Sequence, residues 1–401
     1  MPGFTGLERV MHLPIYLDNH ATTRCDPRVV EAMLPYFTEH FGNASSVTHA
    51  HGWRARDALE TARGTIAEAL GADARGLLLT SGATEANNLA LFGAARARRG
   101  RAAHIVTCAT EHPSVLDSCR ALEREQVRVS VLGVDRAGRV SPDAVRAAIE
   151  PDTVLVSIAH ANGEIGVLQP IAEIAEITRA RGVPLHTDAT QSLGKVPVDV
   201  AALGVDLLSC SAHKLYGPKG IGALFVRPRP RMRLVPILYG GGNERGLRSG
   251  TAPVALAVGF ARACEIAVGE LEPEALRVGG LRDRLLERLT SELSAILRNG
   301  EVENALPGNL NLCFEGVEGE ALLLGLPELA LSSGSACSSA RREPSHVLRA
   351  LGLGPERALS SIRFGLGRFN TAEEVEFAAD RIVEQVRRLR GVSPVWDDRR
   401  A

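Results

Sequence analysis

The stretch Asp206-Leu207-Leu208-Ser209-Cys210-Ser211-Ala212-His213-Lys214 decides the fold, because it joins a short apolar strand directly to a lysine. Upstream, Pro184-Leu185-His186-Thr187 has the same character and runs directly into Asp188. Short β-branched runs alternate with amphipathic stretches of helical period across residues 55–265. This alternation is typical of a mostly parallel sheet covered by helices. The sequence therefore predicts an α/β fold.

The predicted elements change in character after Gly240-Gly241-Gly242. Before this stretch, strands are predicted at 76–80, 104–107, 128–132, 153–158, 184–187 and 206–209, with helices that include 53–70 and 171–181. After it, helices are predicted at 254–270, 281–297 and 372–389, with a strand at 310–314. We therefore predict a large domain over residues 24–265 and a smaller α+β domain made of residues 1–23 with 266–401.

Composition excludes several classes of function. Lys and Arg together (46) nearly balance Asp and Glu (47), so the charge predicts neither a nucleic-acid nor a membrane partner. There is no apolar run of roughly 18 residues that could span a bilayer, and residues 1–10 lack the pattern of a secretory signal. The seven cysteines show no close zinc-type pairing, so we expect no metal and a reducing, cytoplasmic location.

Asp188 and Lys214 suggest a cofactor when they are considered together. Ligands of open α/β sheets bind beyond the carboxyl ends of the strands, and both residues lie at predicted strand ends. A lysine there can form a Schiff base with pyridoxal phosphate, while an aspartate keeps the pyridine nitrogen protonated. Alone, Asp188 would more often be a helix cap. The pair predicts a pyridoxal 5'-phosphate site.

Candidate phosphate donors lie in Thr80-Ser81-Gly82-Ala83-Thr84-Glu85, a small and hydroxyl-rich turn between a strand and a helix. Helix N-termini bind phosphate through free amide groups, although the same residues also make a good helix start with a capping residue. Ser211 and His213 could add side-chain donors to the same phosphate.

Three further residues complete the predicted chemistry. His112 follows the strand at 104–107, where an imidazole could stack on the cofactor ring and move protons. Arg363 stands on an apolar, strand-like segment and suits a substrate carboxylate, with an interdomain salt bridge as the alternative. Cys337 lies among the small residues of Ser332-Ser333-Gly334-Ser335-Ala336-Cys337-Ser338-Ser339, which predict a mobile loop carrying a nucleophile. We interpret the other six cysteines as structural.

Over nearly its whole length, from Tyr16-Leu17-Asp18-Asn19-His20-Ala21-Thr22-Thr23 to Pro394-Val395-Trp396, the chain resembles the cysteine desulfurases that supply sulfur for iron-sulfur cluster assembly. The most specific motifs are Ser-Ala-His-Lys at 211–214, Thr-Asp-Ala-Thr-Gln at 187–191 and Ser-Ser-Gly-Ser-Ala-Cys at 332–337, followed by Glu-Arg-Gly-Leu-Arg-Ser-Gly-Thr at 244–251. The resemblance implies a fold type I pyridoxal-phosphate enzyme with a seven-stranded sheet, built as a homodimer.

The resemblance also implies roles for individual residues. The phosphate would be held by Ala83, Thr84, Ser211 and His213, with Thr251 reaching the cofactor of the partner subunit. Gln191 would bind the ring oxygen, Asp188 the pyridine nitrogen and Arg363 the substrate carboxylate, while His112 would stack on the ring. Where the family commonly has Asn-Asn-Glu, this chain has Asn162-Gly163-Glu164, which leaves Asn162 as the candidate substrate ligand.

The implied reaction converts L-cysteine to L-alanine and leaves a persulfide on Cys337. Lys214, once substrate displaces it, acts as a base together with His112. A protein acceptor such as an iron-sulfur scaffold would then take the sulfur. Two alternatives remain open: a selenocysteine lyase, which depends less on an attacking thiol, and a non-catalytic cofactor-bearing regulator of another desulfurase.

Overall fold

The computed structural model describes residues 12–98, 102–229, 232–301, 303–333, 343–394 and 396. The strands among these residues are β1 Ile15–Tyr16, β2 Leu77–Thr80, β3 His104–Cys108, β4 Arg128–Leu132, β5 Thr153–Ser157, β6 Leu185–Asp188, β7 Leu207–Ser211, β8 Gly222–Val226, β9 Ile296–Arg298, β10 Asn309–Phe314, β11 Leu329–Ala330 and β12 Ser361–Gly365. The α-helices are α1 Pro27–Met33, α2 Pro35–Thr38, α3 Ala50–Glu68, α4 Ala83–Arg96, α5 Pro113–Arg124, α6 Pro142–Ala148, α7 Ile171–Ala180, α8 Val200–Leu203, α9 Val254–Gly269, α10 Leu271–Glu292, α11 Gly319–Leu324, α12 His346–Ala350, α13 Pro355–Leu359 and α14 Ala372–Val392.

The central sheet has seven strands in the order β2-β8-β7-β6-β5-β3-β4. Strands β7, β6, β5, β3 and β4 pair in parallel, whereas β8 is antiparallel to both of its neighbours, β7 and β2. Strand β2 therefore runs in the same direction as β7, and six strands end at one edge of the sheet. The predicted α/β fold with a mostly parallel seven-stranded sheet is confirmed.

Strand β8 was not among the strands predicted from the sequence, because its short apolar run follows a glycine-rich turn. Its first residue, Gly222, lies against backbone on two sides. A Cβ at this position would lie 2.5 Å from the carbonyl oxygen of Cys210 and 2.8 Å from Cα of Gly82. This contact is possible only for glycine, and it holds the end of β8 beside the start of α4.

Helices cover both faces of the sheet and bury separate apolar cores. One core packs α3, α7 and α9 on the sheet and contains Ile66, Ile174 and Phe260, all fully buried. The opposite core contains Leu89 of α4 and Leu122 of α5. Each buried side chain of this size contributes about 1.5–3 kcal/mol. The two cores fix the sheet edge at which the candidate site residues lie.

The C-terminal part of the chain builds a third core around the antiparallel sheet β12-β10-β9, with α10 and α14 packed on it. This core includes Phe314 and Phe364, and it also takes in Leu17 from the N-terminal segment. The division into 24–265 and 1–23 with 266–401 stays a prediction, and this shared core is in keeping with it.

The helix predicted at 281–297 is wrong at both ends. Helix α10 begins at Leu271 and ends at Glu292, and residues 296–298 form β9 instead. The apolar residues at 293, 296 and 297 fit either period locally, and pairing with β10 decides in favour of a strand. No helix among the described residues is both long and apolar enough to cross a membrane.

Candidate active site

The predicted cofactor residues converge at the edge where the parallel strands end. Asp188 is the last residue of β6, and Lys214 closes the 3-10 turn Ala212–Lys214 that follows β7 directly. Two further loops reach the same edge, from β2 to Ala83 and from β3 to His112. The topology therefore brings together residues that are more than 100 positions apart in the chain.

Lys214 is held by the N-terminal segment. Its Nζ donates hydrogen bonds to the carbonyl oxygens of His20 at 2.5 Å and Ala21 at 2.6 Å. Thr23 fastens the same segment, since its hydroxyl and its backbone N–H both donate to the carbonyl oxygen of His213. Sequence reasoning used residues 16–23 only for the resemblance and did not place them at the lysine.

Asp188 is fixed by two donors. Asn87, fully buried on α4, donates from Nδ2 to Asp188 Oδ2 at 2.8 Å and to Ser114 Oγ at 2.9 Å. The backbone N–H of Thr190 donates to Oδ1 at 2.9 Å. The carboxylate is thus oriented at the end of its strand, as a partner for a protonated ring nitrogen requires. Sequence reasoning missed Asn87, whose signal was an amide on the otherwise apolar face of α4.

The N-terminus of α4 forms an anion cradle. Gly82, the residue before the helix, has φ 151° and makes no side-chain cap, so the first amide groups of the helix keep their donors. A Cβ placed on Gly82 would lie 3.8 Å from Ser211 Oγ, which puts this hydroxyl beside the cradle. Thr84 is exposed in the first turn. The assignment of these residues to the phosphate stays a prediction, and their positions are in keeping with it.

His213, in the 3-10 turn that follows β7, is a neutral imidazole. Its Nδ1 lies 3.1 Å from Thr22 Oγ1. Burial, followed by the positive charges of Lys214 and Lys219, lowers the pKa of His213 to about 4. A neutral ring of this kind can still donate one hydrogen bond to a phosphate.

His112 caps α5 at the edge where the parallel strands end. Its Nδ1 accepts from the backbone N–H of Ser114 at 3.1 Å and lies 2.8 Å from Ser114 Oγ. The proton of the neutral ring is therefore assigned to Nε2. Partial burial lowers the pKa of His112, and the charge of Lys214 acts in the same direction while Asp188 opposes it. This arrangement leaves Nε2 for proton transfer.

Gln191 and Gly163 are in close contact. A Cβ at Gly163 would lie 2.6 Å from Gln191 Nε2, so the amide fills the space that a side chain at 163 would need. Gln191 Nε2 donates to the carbonyl oxygen of His20 at 2.9 Å. The glycine in place of the family's second asparagine is therefore matched to the position of Gln191.

Asn162 forms hydrogen bonds that stabilise the loop in which it lies. Its Nδ2 donates to the carbonyl oxygen of Thr110 at 2.8 Å, and its Oδ1 accepts from the backbone N–H groups of Glu164 and Ile165. These bonds hold the turn around Gly163. Its assignment as a substrate ligand stays a prediction, since both ends of the amide have partners within the fold.

Arg363 lies on β12 and bonds both the N-terminal segment and the loop at Gly163. Its Nη2 is 2.7 Å from Asp18 Oδ1, and its Nη1 donates to the carbonyl oxygen of Gly163 at 3.2 Å. Its Nε is buried and has no hydrogen-bond partner within the described part of the chain. The ion pair with Asp18 joins two residues of the predicted small domain, so it is not the interdomain salt bridge that the sequence left as an alternative. The assignment of Arg363 to a substrate carboxylate stays a prediction.

The segment that carries Thr251 is anchored by two ion pairs that the sequence did not predict. Glu244 accepts from Arg63 Nη1 at 2.7 Å and Nη2 at 2.8 Å, in a pair that is largely buried. Arg248 donates to Glu85 Oε1, in the first turn of α4, at 2.8 Å. These two ion pairs hold the residues that precede Thr251, and Thr251 itself is exposed in the single chain.

Six thiols are unsuited to nucleophilic chemistry. Five are buried, and burial is the main cause that raises the pKa of each of the six. For Cys210, beside the predicted cofactor lysine, the pKa reaches about 12. These thiols stay protonated near neutral pH, in agreement with a structural role. Cys337 lies outside the described residues.

The residues present fit pyridoxal phosphate. A helix N-terminus without a side-chain cap suits the phosphate, an oriented buried aspartate suits the pyridine nitrogen, and a lysine at the same sheet edge suits the aldehyde. Gly82 and Gly222 keep the floor of the cradle free of side chains.

Comparison with known proteins identifies the family of the chain and several similar sequences. The aminotransferase class-V family matches residues 15–377. A cysteine desulfurase IscS of Anaeromyxobacter dehalogenans (strain 2CP-C) is 55% identical over 387 residues, 96% of each chain. The cysteine desulfurase of Mus musculus is 51% identical over 96% of this chain and 84% of its own.

Solved structures agree in fold. A structure described as a NifS-like protein superimposes with a TM-score of 0.87 at 36% identity, covering 93% of this chain and 99% of the other. Another, described as SspA in complex with cysteine, gives a TM-score of 0.79 at 37% identity, covering 89% and 99%. The predicted resemblance and fold type are confirmed. The chain belongs to the aminotransferase class-V family, as one of its cysteine desulfurases.

Proposed function

We propose that the protein is a pyridoxal-phosphate-dependent cysteine desulfurase that converts L-cysteine to L-alanine and takes the sulfur onto Cys337. The observation that carries the proposal is the meeting of Lys214, Asp188 and the α4 N-terminus at one sheet edge, in a chain of this family. Family membership supports the activity and the cofactor, and the geometry supports the roles of individual residues.

The proposed cofactor contacts follow from these positions. Ala83, Thr84, Ser211 and His213 hold the phosphate, and Asp188 binds the pyridine nitrogen. Gln191 binds the ring oxygen and His112 packs on the ring. When bound, the cofactor supplies an electron sink next to the substrate Cα.

Three side chains bind the substrate or transfer its protons. Arg363 binds the substrate carboxylate through a remaining guanidinium donor while Asp18 and Gly163 hold the group in place. Lys214 Nζ, freed by the substrate amine, takes the proton from Cα. His112 Nε2 moves a proton at the opposite end of the reaction, where the carbon that loses sulfur must be protonated to give alanine.

The sulfur step needs a thiolate, and Cys337 is the candidate. Its sulfur attacks the substrate sulfur, so an S–S bond forms as the C–S bond breaks and the electron pair of that bond remains with the carbon. Proton delivery to this carbon completes alanine, and Cys337 keeps the persulfide. No external oxidant or reductant is consumed. Burial raises the pKa of other thiols such as Cys210 and Cys313, so they do not form a thiolate readily, and Cys337 is left as the candidate nucleophile.

The test uses the purified protein, L-cysteine and two matched serine variants. Cys337→Ser should keep the cofactor's visible absorbance but form no enzyme persulfide and lose release of sulfide under reducing conditions. Cys25→Ser, a partly exposed thiol outside the loop, should behave as the wild type. Sulfide release at the normal rate by Cys337→Ser would refute the role of Cys337, and a wild-type protein that forms no alanine would refute the activity.

A homodimer is part of the proposal, supported by exposed apolar residues in and between the N-terminal helices. Leu34, Phe37, Phe41 and Trp53 are each more than half exposed in the single chain. Patches of this kind are typical of protein interfaces. Light scattering should give a dimer mass for the wild type, and Phe41→Asp should shift the protein towards monomer. A wild-type mass of one chain would contradict the proposal.

We further propose that the sulfur passes to a protein acceptor, such as an iron-sulfur scaffold, in the cytoplasm. The small, serine-rich residues on either side of Cys337 in the sequence support this proposal. Sulfur-labelled cysteine incubated with extract should label a protein that depends on Cys337. Equal labelling by the Cys337→Ser variant would overturn this step.

A further inference from the structure

Lysine is rare in this chain and confined to one region. It occurs only at Lys195, Lys214 and Lys219, whereas 43 residues are arginine. Arginine serves wherever a permanent charge is enough, but it does not lose its proton in proteins and cannot act as a compact single amine. Lys214 is the proposed cofactor lysine. Lys195 needs a separate reason to be a lysine rather than an arginine.

Lys195 belongs to a hydrogen-bonded chain that ends at Lys214. Its Nζ donates to Gln191 Oε1 at 3.2 Å, and His20 Nδ1 lies 3.2 Å from the same oxygen. Gln191 Nε2 donates to the carbonyl oxygen of His20 at 2.9 Å, and this carbonyl also accepts from Lys214 Nζ at 2.5 Å. Gln191 and the backbone of His20 thus link the two lysines.

We propose that Lys195 is a positioning residue of the active site, whose amine fixes the side-chain amide of Gln191 so that its nitrogen faces the cofactor ring. The inference rests on the proposed function. With Oε1 held by Lys195 and His20, Nε2 lies on the other side, against Gly163. The His20 carbonyl takes one of its two hydrogens, and the second is available for a ring oxygen. If the side-chain amide of Gln191 were rotated by 180°, its N–H groups would face the N–H donors of Lys195, and no hydrogen bond would form between them.

The surroundings of Lys195 make its charge sensitive to pH. Lys214 and Arg363 face it from other elements, His20 lies across Gln191, and Glu274 of α10 is the opposing negative group. Burial, followed by the charges of Lys214 and Arg363, lowers the pKa of Lys195 to about 7. Lys195 is therefore an ammonium below pH 7 and a neutral amine above it. A guanidinium would keep its charge beside Lys214 at every pH.

Nuclear magnetic resonance tests the contact without using activity. Labelling with lysine enriched in ¹³C at the ε-carbon gives three lysine resonances for the whole protein, assigned with single Lys→Arg variants. In the holoenzyme the Lys195 resonance should titrate below the ordinary range of lysine, because burial lowers its pKa. Gln191→Leu removes an acceptor of the charged form, so it should lower that midpoint by roughly half to one pH unit. An unchanged Lys195 midpoint would overturn the proposal.

Two variants at position 195 separate positioning from simple packing. Lys195→Met should lower kcat for alanine formation by roughly ten- to a hundredfold with a smaller change in KM, because the amide of Gln191 loses its orientation. Lys195→Arg should stay within about threefold of wild type at pH 6, where both side chains are charged, and fall further behind at pH 8. A normal kcat and pH profile for Lys195→Met would refute the role.

The two hypotheses fail in different ways. If the wild type forms alanine and the position-195 variants match it, the proposed function stands and the role of Lys195 is wrong. If the wild type forms no alanine, the proposed function fails, and the Lys195 midpoint still decides the contact with Gln191.

Discussion

Replacing Asn87 by leucine should weaken cofactor binding without unfolding the protein. Asn87 is fully buried, and its Nδ2 donates to Asp188 Oδ2 at 2.8 Å and to Ser114 Oγ at 2.9 Å. Leucine has a similar size but offers no donor. Asp188 then keeps its hydrogen bond from the backbone N–H of Thr190, at 2.9 Å.

The expected size of the effect follows from that lost bond. A hydrogen bond to a charged group contributes about 1.5–3 kcal/mol, and each 1.4 kcal/mol is a factor of ten in an equilibrium constant. If Asp188 must be ionised and oriented to hold the pyridine nitrogen, the dissociation constant of pyridoxal phosphate should rise by about 10- to 150-fold for Asn87→Leu.

The assay is a spectroscopic titration of the apoprotein with pyridoxal phosphate, accompanied by thermal unfolding. Asn88→Leu is the control, because Asn88 is the next residue on α4 and its Nδ2 bonds the carbonyl oxygen of Thr84 rather than Asp188. Its dissociation constant should change by less than about threefold. A dissociation constant for Asn87→Leu within twofold of wild type would show that Asn87 does not support Asp188.

Two further predictions concern buried charge. Glu244→Gln removes the negative charge from the ion pair with Arg63, in which neither side chain is more than 10% exposed. In denaturant titrations this variant should lower the free energy of unfolding by about 3–5 kcal/mol. The control Arg262→Met, which breaks an exposed ion pair, should lower it by less than about 1 kcal/mol. Equal decreases in the free energy of unfolding for the two variants would contradict the anchoring role of Glu244. Burial raises the pKa of Glu111 to about 8, above the value of about 4.3 in an unfolded chain. Between these two pH values the unfolded chain loses this proton before the folded protein does, so the free energy of unfolding falls as the pH rises. Glu111→Gln should therefore gain melting temperature relative to wild type between pH 5 and 8, and a difference that does not vary with pH would refute this.

Strand ends were predictable because they depend on local pattern. Short apolar runs that stop at Asp188 and Lys214 identify the strands and the edge of the sheet, and parallel pairing places both residues at that edge. The α4 cradle was predictable for the same reason, since a small turn between strand and helix leaves amide groups free.

Other elements were decided by distant contacts. β8 was missed, and the end of α10 was wrong, because short apolar runs fit a helix, a strand or a turn until a neighbouring strand pairs with them. Asn87 and His20 were missed because nothing near them in sequence shows what they will face. Their partners Asp188 and Lys214 lie 101 and 194 positions away.

The sequence by itself determined which chemistry the protein carries: a lysine and an aspartate at strand ends, a helix start for a phosphate and a cysteine among small residues. The tertiary structure decided how those groups are held. Asn87 orients Asp188, the N-terminal segment binds Lys214, and Gly163 makes room for Gln191, which Lys195 contacts. The physical reason is that reactivity resides in the side chain itself, whereas orientation and charge state depend on neighbours that only folding brings within hydrogen-bond distance.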